Sequence, residues 1–318
     1  MKTLRPRQEL ALDLLYKAFG NGLYRVIVAA ATGFGKTVLA GEIVSRALAK
    51  GNRVMFVVPR ISLINQTVER FYEQGITEIG VIQGQHPMTD YSKPVQIASI
   101  QTLEKRKMPH VDLVIIDEAH ELRQFYFKWF EEWNKTHFVG LSATPWREGL
   151  GADGLWQDLV CPGTLSDLIE EGLLSKFEVF AGKKIDVKGV SMSGDDFNEK
   201  QLSVAARNKD IVCDIPKTWI ELAENRPTLI FCVDRAHASD VQIQFEQLGI
   251  ECGYIDGNTP LEERDDIGKR FNKGDLKLAC NRQVRKKLKG IRVRTFYRDE
   301  EVAPKKAEHK RRVRDFMS

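Results

Sequence analysis

The sequence predicts an α/β fold: a parallel sheet covered by helices on both faces, followed by a second, truncated lobe of the same kind. Three observations predict it. Apolar runs of strand length alternate with helix-length stretches along the first half of the chain. One of these runs opens onto a glycine-bearing turn that ends in Lys-Thr. Another ends in an acidic pair. Strands buried on both faces read as near-continuous apolar runs, and alternating strands and helices lead to parallel pairing.

The strand-like runs are residues 25–30, 53–58, 80–83, 95–99, 113–117 and 136–141. Helical stretches fall between them, among them 38–50, 61–74 and 122–134. On the last of these, Trp129, Phe130 and Trp133 roughly share one face, which marks them as core. From about residue 147 the pattern loosens. Residues 165–172 read as a short helix, 177–181 as a strand and 189–196 as a loop. The second lobe begins near Ile211. Its strands are 228–233, 251–255 and 276–280, with helices at 236–247 and 261–272 between them. The resulting division is 1–160, a connector at 161–208, a partial second lobe at 209–281 and a basic tail at 282–318.

The run Val26-Ile27-Val28-Ala29 leads into Ala30-Ala31-Thr32-Gly33-Phe34-Gly35-Lys36-Thr37. Strand, glycine turn, then Lys-Thr opening a helix is a phosphate cradle. Gly33 and Gly35 allow backbone angles that a side chain forbids. The turn's N–H groups and the helix N-terminus then face an anion. Lys36 reaches the β- and γ-phosphates of a nucleoside triphosphate, and the Thr37 hydroxyl holds Mg²⁺. Ala30 stands where the strict pattern has glycine.

Val111-Asp112-Leu113-Val114-Ile115-Ile116 reads as a buried strand that ends in Asp117-Glu118-Ala119-His120. Open α/β sheets bind ligands at the carboxyl ends of their strands. Asp117 then shares the Mg²⁺ with Thr37, and Glu118 orients and deprotonates an attacking water. A lone Asp-Glu pair is ordinarily a solvated helix start; this one follows a buried strand, with the cradle upstream in the same domain.

With Val139-Gly140-Leu141-Ser142-Ala143-Thr144-Pro145 added, the chain resembles the superfamily 2 DEAD/DEAH-type helicases and translocases. It is most similar to the branch of type I and type III restriction-enzyme motor subunits and related phage and bacterial DNA helicases. The resemblance runs from Arg5 to Asn281 and implies two RecA-like lobes that hydrolyse ATP with Mg²⁺ to move on or unwind nucleic acid. It implies adenine reading by Arg5-Pro6-Arg7-Gln8, with Gln8 and Arg5 joining Thr32, Gly33, Gly35, Lys36 and Thr37 around the nucleotide. It implies nucleic-acid contact by Val57-Val58-Pro59-Arg60 and Ala98-Ser99-Ile100-Gln101-Thr102, through Pro59, Arg60 and Thr102. Ser142-Ala143-Thr144 matches the motif that couples nucleotide state to strand binding, with His120 linking Ser142 and Thr144 to the water-activating site. Arg147 either faces phosphate or is a surface arginine. Leu229-Ile230-Phe231-Cys232-Val233 and Tyr254-Ile255-Asp256-Gly257 match the opening of the second lobe. The likeness is strongest to DNA motors, which favours DNA over RNA.

The second lobe departs from that pattern. Neither Arg282-Gln283-Val284-Arg285-Lys286-Lys287 nor Arg311-Arg312-Val313-Arg314 fits the family's late elements, which carry its arginine fingers. A finger of this kind is worth about 10³–10⁵ in rate. The change at Asn281/Arg282 reads as a junction, and Ile291-Arg292-Val293-Arg294-Thr295-Phe296-Tyr297 is a candidate for one capping strand. The alternative is therefore a hydrolysis-defective protein that binds ATP and DNA. A small-molecule kinase is a third reading, but it has no use for Asp-Glu-Ala-His or Ser-Ala-Thr.

Composition narrows the setting. Hydrophobic residues make up 42% and charged residues 29% of the 318, a soluble globular balance. Net charge is +4, but residues 282–318 hold 14 Lys/Arg against 5 Asp/Glu, leaving the rest mildly acidic at −5. A basic end binds phosphate backbone or is simply a solvated terminus. Cys161, Cys213, Cys232, Cys252 and Cys280 include no Cys-x-x-Cys pair, so zinc and dithiol sites lack support. Cys232 and Cys280 sit in apolar runs as small buried hydrophobes. No run approaches a membrane span, which leads to an expected bacterial or phage-infected host cytoplasm.

Overall fold

The structure, a computed structural model, describes residues 3–106, 108–121, 123–145, 155–180, 185–193, 196–282 and 292–295. The chain forms two compact units, Met1–Leu174 and Ser175–Ser318. Arg147, residues 146–154 around it, Gly194-Asp195 and nearly all of the basic tail lie outside the described residues.

The first unit is built on a seven-stranded sheet. Its strands are Arg25–Ala29 (β1), Val54–Val58 (β2), Ile79–Ile82 (β3), Val95–Ser99 (β4), Leu113–Asp117 (β5), His137–Ser142 (β6) and Asp158–Val160 (β7). Every pairing is parallel, in the order β3-β4-β2-β5-β6-β1-β7. The helices are Pro6–Gly20 (α1), Lys36–Ala49 (α2), Ile64–Tyr72 (α3), Ile100–Leu103 (α4), Gln124–Glu132 (α5) and Leu165–Glu170 (α6).

Side chains alternate across a strand, so each strand feeds two cores. Val54, Phe56 and Val58 of β2 join Val26 and Val28 of β1 under α1, α2 and α3, against Leu12, Leu39, Ile43, Val68 and Phe71. Met55 and Val57 turn to the other face, where they meet Val114, Ile116, Trp129, Phe130, Phe138 and Trp156. Trp129 and Phe130 are core, as expected, and Trp133 packs at its margin. Burying each such large apolar side chain contributes about 1.5–3 kcal/mol.

The first unit extends past residue 160. Arg7 donates to the Pro162 carbonyl (3.0 Å), pairs with Asp167 (3.5 Å) and bonds Glu171, while Leu168 is buried in the first core with Leu174 packed against it. These contacts fasten residues 162–174 to α1. The sequence signal there is weak because the segment is held by one arginine and by Leu168, Leu173 and Leu174 rather than by a periodic face.

The second unit opens with a small hairpin, Met192–Ser193 (β8) against Asp196–Phe197 (β9), then helices Glu199–Ala206 (α7), Lys209–Val212 (α8) and Asp214–Leu222 (α9). Its main sheet contains Thr228–Cys232 (β10), Cys252–Ile255 (β11), Leu278–Arg282 (β12) and Arg292–Thr295 (β13), in the order β11-β12-β10-β13. β10, β11 and β12 are parallel, and β13 runs antiparallel along β10. The candidate capping strand is therefore present. Helices Arg235–Glu246 (α10) and Leu261–Lys273 (α11) flank the strands. The core gathers Trp219, Ile230, Val241, Phe245 and Leu278, together with the three thiols of Cys232, Cys252 and Cys280.

Residues 177–180 correct one expectation, since they form no strand and Phe177 and Val179 are 56% and 70% exposed. Alternation alone does not make a strand; a ladder partner and a covered face are also required. No helix among the described residues is long and apolar enough to cross a membrane.

Candidate nucleotide site and its surroundings

Three parallel strands end side by side at the site. The register sets Ala29 of β1 beside Ser142 of β6, and Leu141 of β6 beside Asp117 of β5. The turn after β1 and the acids after β5 thus flank the end of β6.

The turn begins where the Ala30 N–H donates to the Ser142 carbonyl at 2.8 Å. Gly33 and Gly35 both adopt left-handed angles, φ +85° and +88°. A Cβ on Gly33 would lie 2.3 Å from Leu174 Cδ2, and one on Gly35 would lie 2.6 Å from Gln8 Nε2. No side chain caps the N-terminus of α2, and its first turn holds no acid. Its free N–H groups and partial positive charge therefore suit a phosphate. Lys36 and Thr37 are the first two residues of that helix.

Gln8 is only 3% exposed and braces the turn from α1. Its Oε1 accepts from the Arg5 N–H (2.9 Å), and its Nε2 donates to the Phe34 carbonyl (2.9 Å). Arg5 Nη1 reaches the Gly33 carbonyl at 3.3 Å. Thr32 is exposed on the same turn.

Across β6, Lys36 Nζ donates to Glu118 Oε1 at 2.9 Å. Glu118 has φ +53°, a left-handed angle unusual for a residue with a side chain. Residues held this way cluster at functional sites. The Ala119 N–H donates to the Leu141 carbonyl at 3.0 Å and holds this bend against β6. The Glu118 N–H donates to Asp117 Oδ1, also at 3.0 Å. Burial pushes the Asp117 carboxyl above the usual carboxylate range, and Lys36 acts against that rise. Such a carboxylate is poised to gain from an added cation.

His120 Nδ1 lies 3.0 Å from Ser142 Oγ and 3.3 Å from Glu118 Oε2, so it touches both. Ser142 is fully buried, and its hydroxyl accepts from the Thr144 N–H at 3.0 Å. The three residues expected to couple are thus linked in series. Pro59 follows β2 and Thr102 lies in α4 after the paired strand β4, and it is Gln101, beside Thr102, whose Nε2 donates to the Pro59 carbonyl at 2.7 Å. Arg60 is exposed beside them. Thr102 is only 9% exposed, and its hydroxyl bonds Ser99 Oγ at 2.9 Å.

Arg70 and Gln74 meet Thr37 as well, although no motif contains them. Arg70 Nη1 donates to Thr37 Oγ1 at 3.3 Å, and Gln74 Nε2 to the Thr37 carbonyl at 3.4 Å. The only sequence signal is their spacing of four, Arg70 in the last turn of α3 and Gln74 just after its end. In the second unit, Asp256 receives Tyr254 Oη (3.0 Å) and pairs with Arg235 Nε (2.8 Å) at the end of β11.

Two family models match the chain. One, described as the res subunit of type III restriction enzymes, matches residues 1–147. The other, the helicase conserved C-terminal domain, matches residues 209–284. The chain belongs to the superfamily 2 helicases. It is similar to the 51.5 kDa protein of Lactococcus phage (isolate 7-9), with 25% identity over 78% of this chain and 53% of that one. It is similar to a Saccharomyces cerevisiae protein named as an ATP-dependent helicase, IRC3, with 28% identity over 87% of this chain and 44% of that one. It is also similar to an endonuclease subunit of the type I restriction enzyme EcoAI of Escherichia coli, with 24% identity over 84% of this chain and 37% of that one. The chain thus spans about half the length, or less, of these relatives.

Proposed function

We propose that the chain hydrolyses ATP with Mg²⁺ to translocate on or unwind nucleic acid, with DNA as the substrate. The observation that carries the reading is the 2.9 Å contact between Lys36 and Glu118, which draws the glycine turn and the acidic strand end around one space.

In this reading the N–H groups of Gly33, Gly35, Lys36 and Thr37 hold the phosphates, that of Phe34 being bonded to the Ala31 carbonyl at 3.0 Å, and Lys36 leaves Glu118 to neutralise the β- and γ-phosphates. Thr37 and Asp117 hold Mg²⁺, which supplies charge neutralisation on the phosphate oxygens when bound. Glu118 accepts the proton of the attacking water. Arg5 and Gln8 fix the base side of the nucleotide. Gln8 acts mainly through the turn, since both ends of its carboxamide already have protein partners. His120, Ser142 and Thr144 pass the state of Glu118 toward the strand-binding edge. There Pro59 and Arg60 meet the backbone of the nucleic acid, and Thr102, bonded to Ser99, shapes their support. Such contacts are made mostly to phosphate and carry little sequence preference. The phage and bacterial relatives support a site of action in a bacterial or phage-infected cytoplasm.

The test is phosphate release with and without duplex and single-stranded DNA. Turnover should rise on addition of DNA and vanish in Lys36→Ala and Glu118→Gln. Nucleotide-dependent DNA retention without phosphate release would instead support the hydrolysis-defective alternative.

A further inference from the structure

The Thr37 hydroxyl has a cationic neighbour that the reaction as read above does not use. Arg70, on α3, donates to it at 3.3 Å. Gln74 stands one helical turn further on and donates both to the Thr37 carbonyl (3.4 Å) and back to the Arg70 carbonyl (3.0 Å). The contact is built from both sides, because α2 carries Gly41 where Gln74 presses in. A Cβ there would lie 2.1 Å from Gln74 Oε1. Arg70 thus spends its guanidinium on a neutral hydroxyl at the point where a divalent cation would sit.

Position adds to this. α3 begins shortly after Pro59-Arg60, the edge read above as meeting nucleic acid, and ends at the Thr37 contact. One helix joins the two.

Resting on the proposed nucleotide site, we propose that Arg70 is a positioning residue of the metal–nucleotide centre. It stands in for the divalent cation before Mg²⁺ arrives and is displaced from Thr37 when it does. Two opposite consequences follow. Arg70 supports nucleotide binding in the absence of metal, because its charge lies near Thr37 and the phosphate site. It opposes Mg²⁺, because it holds a lone pair of the Thr37 hydroxyl and repels a second cation. Arginine and lysine share the charge but not the planar fork, so Lys restores the electrostatic part alone.

The experiment measures a fluorescent ADP analogue binding to the full chain, first in EDTA and then across a Mg²⁺ titration, in wild type, Arg70→Gln and Arg70→Lys. In Arg70→Gln, metal-free affinity should fall about three- to fivefold, as expected for loss of one exposed charge. The Mg²⁺ concentration for half-maximal effect should fall in the same variant. Arg70→Lys should keep the metal-free affinity within about threefold of wild type. A merely structural defect would weaken both states together and raise, not lower, the Mg²⁺ requirement, and thermal melting of each variant checks the fold directly. If wild type binds the analogue but Arg70→Gln shifts both states equally or neither, this inference is overturned and the nucleotide site stands. If wild type binds no analogue and matches Lys36→Ala, the site itself is overturned and the inference goes with it.

Discussion

Lys36 Nζ and Glu118 Oε1 lie 2.9 Å apart, so the base of the proposed reaction and the lysine of the phosphate cradle hold each other. The pair is partly solvated, with side chains 20% and 35% exposed. Its net worth is about 0.2–1 kcal/mol, small enough for an incoming triphosphate to break it. Glu118→Gln removes both the base and the pair. Phosphate release should fall by at least about 100-fold, while ATP affinity tightens about two- to fivefold as Lys36 is released. Loss of both binding and turnover would contradict the assignment of Glu118. Phosphate-release assays and equilibrium nucleotide binding read the two effects separately.

The two glycines of the turn should not be equivalent. Gly35→Ala combines a left-handed backbone with a Cβ driven against the buried, bonded amide of Gln8. It should cost at least about 2 kcal/mol of first-unit stability and abolish nucleotide binding. Gly33→Ala meets the Leu174 side chain, Cδ2 at 2.3 Å and Cγ at 3.2 Å, which carries no hydrogen bond and can rotate away, so its cost should stay near the backbone term of about 1–2 kcal/mol. Thermal melts of the two variants check the order, and equal shifts would show that Gln8 is not the brace.

His120→Ala should separate coupling from chemistry. It cuts the link from Glu118 to Ser142 and Thr144 while leaving Lys36, Asp117 and Glu118 in place. Hydrolysis without DNA should stay within a few-fold of wild type, and the stimulation by DNA should be lost. Equal loss of both rates would place His120 in the chemical step instead.

Much of this site is legible in the sequence, and the reason is local. The cradle and Asp117-Glu118 each sit at the end of a buried strand, so a contiguous stretch encodes both the element and its chemistry. Arg70, Gln74 and Leu174 were not legible. Each reaches the turn from a distant element, and a surface arginine on α3 looks the same in sequence whether it faces Thr37 or solvent. The seventh strand, Asp158–Val160, escaped for a similar reason, since two of its three residues are exposed and give no buried run. The strand expected at residues 177–181 shows the converse, since its described part, 177–180, forms no strand and leaves Phe177 and Val179 exposed.

Acid should weaken the second unit through His237. This side chain is fully buried, its Nδ1 accepts from the Val233 N–H at 3.2 Å, and its Nε2 has no partner. Burial holds the imidazole below the usual histidine range, against the pull of Asp234 and Asp240. With the folded pKa depressed, the unfolded state binds the proton first. The stability contributed by the neutral ring is complete above about pH 6.5 and is lost as pH falls through that value, by at most about 1.4 kcal/mol per pH unit. His237→Gln should be less stable than wild type at pH 7, and the gap should narrow by pH 5. Melting curves at the two pH values test this, and a constant gap would contradict it.

The most direct measurement is a structure of the chain with a non-hydrolysable ATP analogue and Mg²⁺. The triphosphate should lie against the N–H groups of Gly33, Gly35, Lys36 and Thr37, with the ion on Thr37 and Asp117 and with Lys36 moved from Glu118 to the phosphates. A nucleotide bound elsewhere, or a Lys36–Glu118 contact that survives beside a bound triphosphate, would contradict the account.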